Sequence, residues 1–257
     1  IGLLGGTLSG LFVLGIFSAA AAAGQFIFIP TLISIGNGPS GWRAIIAVLI
    51  GASLAAWVLA FLFMRNSPQG MGLSALGEAT AVSKASDTHV TPLRDAIRTR
   101  DFWLLAGSFF VCGYTTNGLI TTHLLPHALE HGFVEAEMAG AIALMGAMNI
   151  VGSLISGALT ERFDNRKLLA TYYGFRAVSL AALPFIYEMH SMLLFTVVYG
   201  FDWVATVPPT VNLTAQRFGR KSLGSIYGWI YCCHMIGAGI ASFAGGFFRD
   251  QIGDYHL

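Results

Sequence analysis

The sequence predicts an all-α fold, a polytopic transmembrane helical bundle of about seven spans, and two observations carry that reading. Only 11% of the 257 residues are charged, against about 25% in an ordinary soluble domain. Charge is also missing from long runs: none falls between Ile1 and Trp42, between Phe102 and Leu129, or between Met138 and Thr160. Such runs match the roughly 20 residues needed to cross a hydrocarbon core about 30 Å thick, where backbone polar groups must be satisfied within the segment. Helix meets that requirement along the whole chain.

In order, the apolar runs place spans at 8–35, 42–64, 101–126, 138–160, 167–187, 191–213 and 222–247. The first apolar stretch is too long for one crossing, since 36 helical residues extend about 54 Å, so Ile1 to Gly10 reads as the remnant of another helix. Orientation follows from Lys and Arg, which accumulate on the cytoplasmic side. Arg65, Lys84, Arg94, Arg98 and Arg100 mark one side, and Arg162, Arg166, Lys167, Arg217, Arg220 and Lys221 return to it. The loops Pro126 to Glu137 and Glu188 to Ser191 carry neither residue. The expected organisation is residues 1–64 as the remnant of an N-terminal helical bundle, 65–100 as a cytoplasmic linker, and 101–257 as a C-terminal bundle without its last helix. The linker is rich in Ser, Ala, Gly and Thr from Asn66 to Thr91. Thr91 and Pro92 then read as an N-cap and first helical position opening a short surface helix.

Composition also excludes some roles. A net charge of +1, without a cluster of Lys and Arg on one face, argues against nucleic-acid binding. Cys112, Cys232 and Cys233 lie in apolar spans without ligand spacing and read as small packing residues. The pairs Gly152 with Ser156, Ser153 with Gly157 and Gly224 with Gly228 have the spacing that lets membrane helices approach closely.

Several polar residues stand out against this apolar background. Asp202 lies near the middle of a span and Arg176 at a similar depth on the preceding one, and a charge at that depth is expensive enough to suggest function. A buried pair that serves packing alone weighs equally. His234 is mid-span and titrates near neutral pH, suiting proton coupling or an anion contact. Asn149, Asn117, Tyr114 and Gln25 can line the same pathway or simply bond helix to helix. His123, His127 and His131 recur every four residues, which gives a membrane-embedded His-metal enzyme its best opening. Such an enzyme needs further His clusters, whereas His89, His190, His234 and His256 are scattered and Pro126 interrupts the face. The expectation is therefore no metal and no cofactor, with His123 on a partly pathway-lining cluster.

The run Gly157-Ala-Leu-Thr-Glu161-Arg162-Phe-Asp-Asn-Arg166-Lys167 resembles the short cytoplasmic loop motif of the major facilitator superfamily, a Gly followed by an acid-Arg pair and further basic residues. Gly41-Trp42-Arg43 entering a span, and Arg65-Asn-Ser-Pro68 with Gly72-Leu73 leaving it, are similar to the ends of the family's sixth helix. The layout after Leu11 resembles the monocarboxylate and oxalate/formate branch from about the fifth helix to the eleventh. The resemblance implies a partial major-facilitator fold and, in the intact protein, alternating-access transport of a small solute. An organic anion, secondary active transport and proton coupling are the finer expectations.

Three departures accompany the resemblance. The basic turn expected before Gly15 is absent. The branch's Asp and Arg, four apart on the eighth helix, fall near Asn149 and Ser153, and the oxalate carriers' eleventh-helix Lys falls near His234. The expected setting is an integral membrane protein of the cell inner membrane, a monomer when full length, with the lipid bilayer and a small solute as partners. A structural remnant that does not transport is the remaining alternative.

Overall fold

The computed structural model describes residues 41–64 and 90–253, together with Ala20, Gly24, Thr31, Leu32 and residues 34–36. Most of the expected first span and of the linker, and Gln25, Arg65, Pro68, Gly72, His89 and His256, lie outside the residues described. Among those described there is helix and no strand. They fall into two compact units, one holding the described residues from Gly24 to Met64 and the other those from Val90 to Gly253.

The first unit contributes α1, Gly41–Phe63. Gly41 starts it with φ +48°, a backbone conformation that glycine adopts without a Cβ penalty. Arg43 lays its guanidinium over the Trp42 ring, 4.7 Å from the centroid. None of the helix's residues is buried.

The second unit begins with the short α2, Leu93–Ile97. The cap differs from expectation. Pro92 is the N-cap, with extended backbone and no side-chain cap bond, and the Thr91 N–H is directed 131 residues along the chain to Ser222 Oγ at 2.8 Å. Pro92 itself keeps extended backbone, with ψ 144°, so the helix starts one residue later than expected, at Leu93. The sequence reading overlooked Thr99, whose hydroxyl accepts from the Phe102 N–H and caps the next helix.

That helix is one continuous rod: α3, Arg100–Gly113, a π-helical stretch Tyr114–Ile120, and α4, Thr121–Glu130. It is followed by α5, Glu135–Arg162; α6, Asn165–Ala182, ending in a 3₁₀ turn; α7, Met189–Asp202; α8, Val207–Phe218; and α9, Leu223–Ile252. Asp164 caps α6 by accepting from the Arg166 N–H at 2.8 Å, within the predicted loop motif. Among the described residues, five helical segments are long and apolar enough to cross a membrane: Gly41–Phe63, Glu135–Arg162, Asn165–Phe185, Met189–Phe218 and Arg220–Ile252. The expected span at 101–126 forms as the composite rod but is less apolar, because Thr115, Thr116, Asn117, Thr121, Thr122 and His123 fall at its centre.

Two helix pairs are packed backbone to backbone. Lipid tails are as apolar as Leu, so close van der Waals approach replaces hydrophobic burial as the force joining membrane helices. Against α9, a methyl group at Gly113 would overlap the His234 carbonyl, and one at Gly237 would overlap that of Phe110. In the α5–α7 pair, Gly152 meets Phe201 and Gly200 meets Met145 in the same way. Gly224 and Gly228 behave differently from expectation, since an added methyl at either finds nothing within 4 Å among the described residues.

Along the composite rod, an apolar cluster around Phe102, Leu105 and Phe109 is followed by buried Cys112 and Thr116, then by a second cluster at Ile120, Leu124 and Ala128. α6 and the α7–α8 segment likewise carry residues of both clusters. Arg176, Asp202, Thr206 and His234 are buried and form a polar layer between the two clusters.

Candidate functional site

The polar layer is organised by a break within the crossing Met189–Phe218. Pro208 and Pro209 carry no N–H, so the carbonyls of Val204 and Ala205 lose their i+4 donors, and the chain turns between α7 and α8. A break inside a membrane is tolerated only when neighbouring groups re-satisfy the freed backbone. Val204 O accepts from the Val207 N–H at 2.9 Å. Ser156 on α5 donates to Ala205 O at 2.5 Å. Arg176 on α6 serves the two carbonyls just before these, where the chain leaves α7: Nη2 donates to Asp202 O at 2.8 Å and to Trp203 O at 3.2 Å.

The same guanidinium forms the ion pair anticipated from depth alone, with Nε donating to Asp202 Oδ2 at 2.8 Å. Nη1 donates to Cys112 Sγ at 3.0 Å, so this cysteine does more than pack. The Arg176 side chain is 1% exposed, and a guanidinium has five N–H groups in all. Four contacts within the protein therefore leave little for an incoming anion. The rings of Tyr173 and Tyr199 lie 5.6 Å and 6.0 Å from its central carbon. Their hydroxyls donate elsewhere, to Ser108 O at 2.6 Å and Thr115 O at 3.0 Å.

Asp202 Oδ1 and His234 Nδ1 are buried in this layer and have no hydrogen-bond partner among the described residues. Most buried polar groups are satisfied, so each marks a place where a further group can bind. His234 is packed between rings: its centroid lies 4.9 Å from Phe109 and 5.2 Å from Tyr231, nearly parallel to the latter at 15°.

The remaining candidates do not all converge here. Asn149 is buried on α5, where Oδ1 accepts from Ser153 Oγ at 3.3 Å; the two positions that hold a charged pair in the resembled branch thus hold a neutral hydrogen bond. Tyr114 and Asn117 lie on the π stretch, Tyr114 at the surface with its ring 6.3 Å from Phe110. This wide turn was not foreseen; its signature is i−5 bonding, as where the Thr121 N–H donates to Thr116 O, and the Thr121 and Thr122 hydroxyls donate to Thr116 O and Asn117 O at 3.2 Å each. Gly157 is buried, while Glu161, Arg162, Arg166 and Lys167 are exposed or half-exposed at the basic end of α5 and α6.

His123, His127 and His131 line a separate cavity of about 510 Å³ with Tyr187 and Arg249. A carbonyl can only accept, so His123 Nε2 donates to Ser242 O at 3.1 Å and His131 Nδ1 to His127 O at 2.8 Å. The His127 and His131 rings are 4.1 Å apart. Among the described residues no group of three His, Cys, Asp or Glu is placed to hold a metal ion. Arg249 is tied to Glu130 Oε1 at 2.7 Å beside this cavity.

Comparison with known proteins agrees with this architecture. The family model of the Major Facilitator Superfamily matches residues 11–242. The uncharacterized MFS-type transporter YcxA of Bacillus subtilis (strain 168) is 26% identical over 260 residues, covering 95% of this chain and 59% of that protein. Monocarboxylate transporter 12 of Rattus norvegicus is 25% identical over 269 residues, covering 95% and 55%. Monocarboxylate transporter 12-B of Danio rerio is 30% identical over 162 residues, covering 60% and 33%. The chain spans little more than half the length of the first two relatives.

Proposed function

Because the chain belongs to the Major Facilitator Superfamily, we propose that it is the part of a secondary transporter that supplies the C-terminal bundle, moving a small organic acid by alternating access with proton coupling at Asp202. The solute class rests on the monocarboxylate transporters among the relatives. Alternating access rests on the family's construction from two halves that rock about a midplane site; a chain of this extent needs the remainder of the first half to do so. The reading excludes an enzymatic role, and the bilayer is the setting.

One observation carries the coupling assignment: a mid-span carboxylate with Oδ2 held by Arg176 and Oδ1 without a partner. A proton on Oδ1 leaves the Oδ2 hydrogen bond in place. The groups around it are Tyr172, Tyr173 and Arg176 on α6 and Tyr199 on α7, with Cys112 on α3 reached by the same guanidinium. Arg176 acts as the fixed counter-charge and cap of α7, and is not the group that grips the solute's carboxylate.

The test uses the intact transporter in proteoliposomes with a panel of small monocarboxylates. Asp202→Asn keeps an acceptor for Arg176 and is expected to abolish acceleration by an inward proton gradient while preserving gradient-free counterflow. Equal gradient response in the variant removes Asp202 from the coupling role, and absence of any organic-acid uptake by the wild type removes the solute class.

A further inference from the structure

The engagement of Arg176 leaves a question for the solute: which surface of this bundle does it meet? Apart from Arg176 and Asp202, the charged residues of α3 to α9 lie at or near helix ends, so the middle of the bundle offers a solute no accessible cation. It does offer aromatic rings. Phe109 on α3 is 5.8 Å from Tyr227, 6.1 Å from Tyr231 and 4.9 Å from His234, all three on α9. Tyr227 and Tyr231 are 6.3 Å apart, and Tyr231 stacks on His234. These separations lie in the range where ring pairs attract.

The four rings form a graded surface. Phe109 is wholly buried, His234 is 7% exposed, and Tyr231 is 43% exposed. Stacking alone accounts for the rings but not for His234 Nδ1, which is buried and has no partner among the described residues. Leaving such an atom unsatisfied is costly, whereas a Phe at this position would make the same ring contacts without the cost. The close approach of α3 to α9 at Gly113 and Gly237 keeps the rings in register across the two helices.

We propose that Tyr227, Tyr231 and His234, backed by the buried ring of Phe109, form a solute-contact wall that takes a flat, unsaturated and uncharged group, with one hydrogen bond at His234 Nδ1. The inference rests on the reading of the protein as a carrier of small solutes and deepens it by naming the part of the solute this bundle recognises. A flat group slides against Tyr231 at the exposed rim and stacks as His234 already does. The carboxylate of an organic acid is held outside this wall.

Benzamide and cyclohexanecarboxamide test the proposal. They share an uncharged amide, which both donates and accepts and so serves either tautomer of His234, and they differ in the flatness of the ring. Binding to the full chain in nanodiscs is measured by ligand-observed NMR against empty nanodiscs, which removes simple partition into lipid. Benzamide is expected to bind more tightly by about threefold to tenfold, the range of an aromatic contact. Tyr231→Leu and His234→Phe each erase most of that preference, whereas Tyr231→Phe and the distant Phe243→Leu preserve it. No preference in the wild type, or a preference untouched by both Tyr231→Leu and His234→Phe in folded protein, overturns the wall. The result separates from the transport reading: a wall-dependent preference in a transporter that carries no organic acid sustains the wall and refutes the solute class. Organic-acid uptake by a protein without the preference does the reverse.

Discussion

Arg176 and His234 are both buried polar side chains near the middle of a membrane bundle, and their surroundings differ. The Arg176 guanidinium has four protein contacts, two of them with backbone carbonyls at the proline break. His234 has a ring nitrogen with no partner and aromatic neighbours on two helices. A charge in the membrane is a functional hypothesis by default, yet here the charged residue is engaged in holding the fold while the neutral one keeps binding capacity in reserve. Hydrogen-bond occupancy separates these roles where polarity and depth alone do not.

The largest expected effect concerns Arg176. Arg176→Ala leaves Asp202 charged in the bundle and removes the donors from Asp202 O and Trp203 O, so a loss of about 3–5 kcal/mol is expected, the range for breaking a buried pair. It is read as folded yield and thermal unfolding of helicity in detergent. Removing Asp202 as well restores only part of that loss, because the carbonyls remain without donors. Full recovery in Arg176→Ala with Asp202→Ala would reduce Arg176 to a counter-ion.

A somewhat smaller effect is expected at the glycine crossings. Gly152→Leu and Gly113→Leu push a side chain into the carbonyls of Phe201 and His234, with expected losses of about 1–3 kcal/mol each, as for overpacking. Gly224→Leu is expected to be near neutral, since its added side chain starts in open space among the described residues. Comparable losses at Gly224 and Gly152, measured by the same unfolding assay, would show that small-residue spacing alone sets the cost.

The smallest effects belong to His234 and to the bundle's edge. His234→Phe is expected to be neutral or to stabilise by about 1 kcal/mol, because it removes a buried nitrogen without a partner. Destabilisation by more than that would assign His234 a bond in the folded protein. Arg249→Ala loses a partly exposed pair with Glu130 and is expected to cost no more than about 1 kcal/mol.

The helices were legible in the sequence because charge-free runs bracket them, and the Arg176–Asp202 pair was legible because two mid-span charges on consecutive crossings have few other partners. What the guanidinium does besides was not legible. Pro208 and Pro209 are plain in the sequence, but which side chains reach the carbonyls of the turn before them depends on how α5 and α6 pack against α7 and α8. The π stretch was missed because its i−5 bonds leave no composition signal among Tyr114, Thr115, Thr116 and Asn117. Glycine spacing gave Gly152 but also Gly224, since spacing fixes which residues share a helix face and not which face meets a neighbour. For the same reason the aromatic wall was invisible: Phe109 and His234 are 125 positions apart.

The central claim is that Arg176 holds the proline break. It is tested most directly by the stability loss from Arg176→Met in two backgrounds, the native chain and one carrying Pro208→Ala with Pro209→Ala. Without the prolines the helix can run on, and the N–H groups of Thr206 and Val207 can reclaim the carbonyls of Asp202 and Trp203. The loss is then predicted to shrink to that of the ion pair with Asp202. An undiminished loss in the proline-free background would contradict the account.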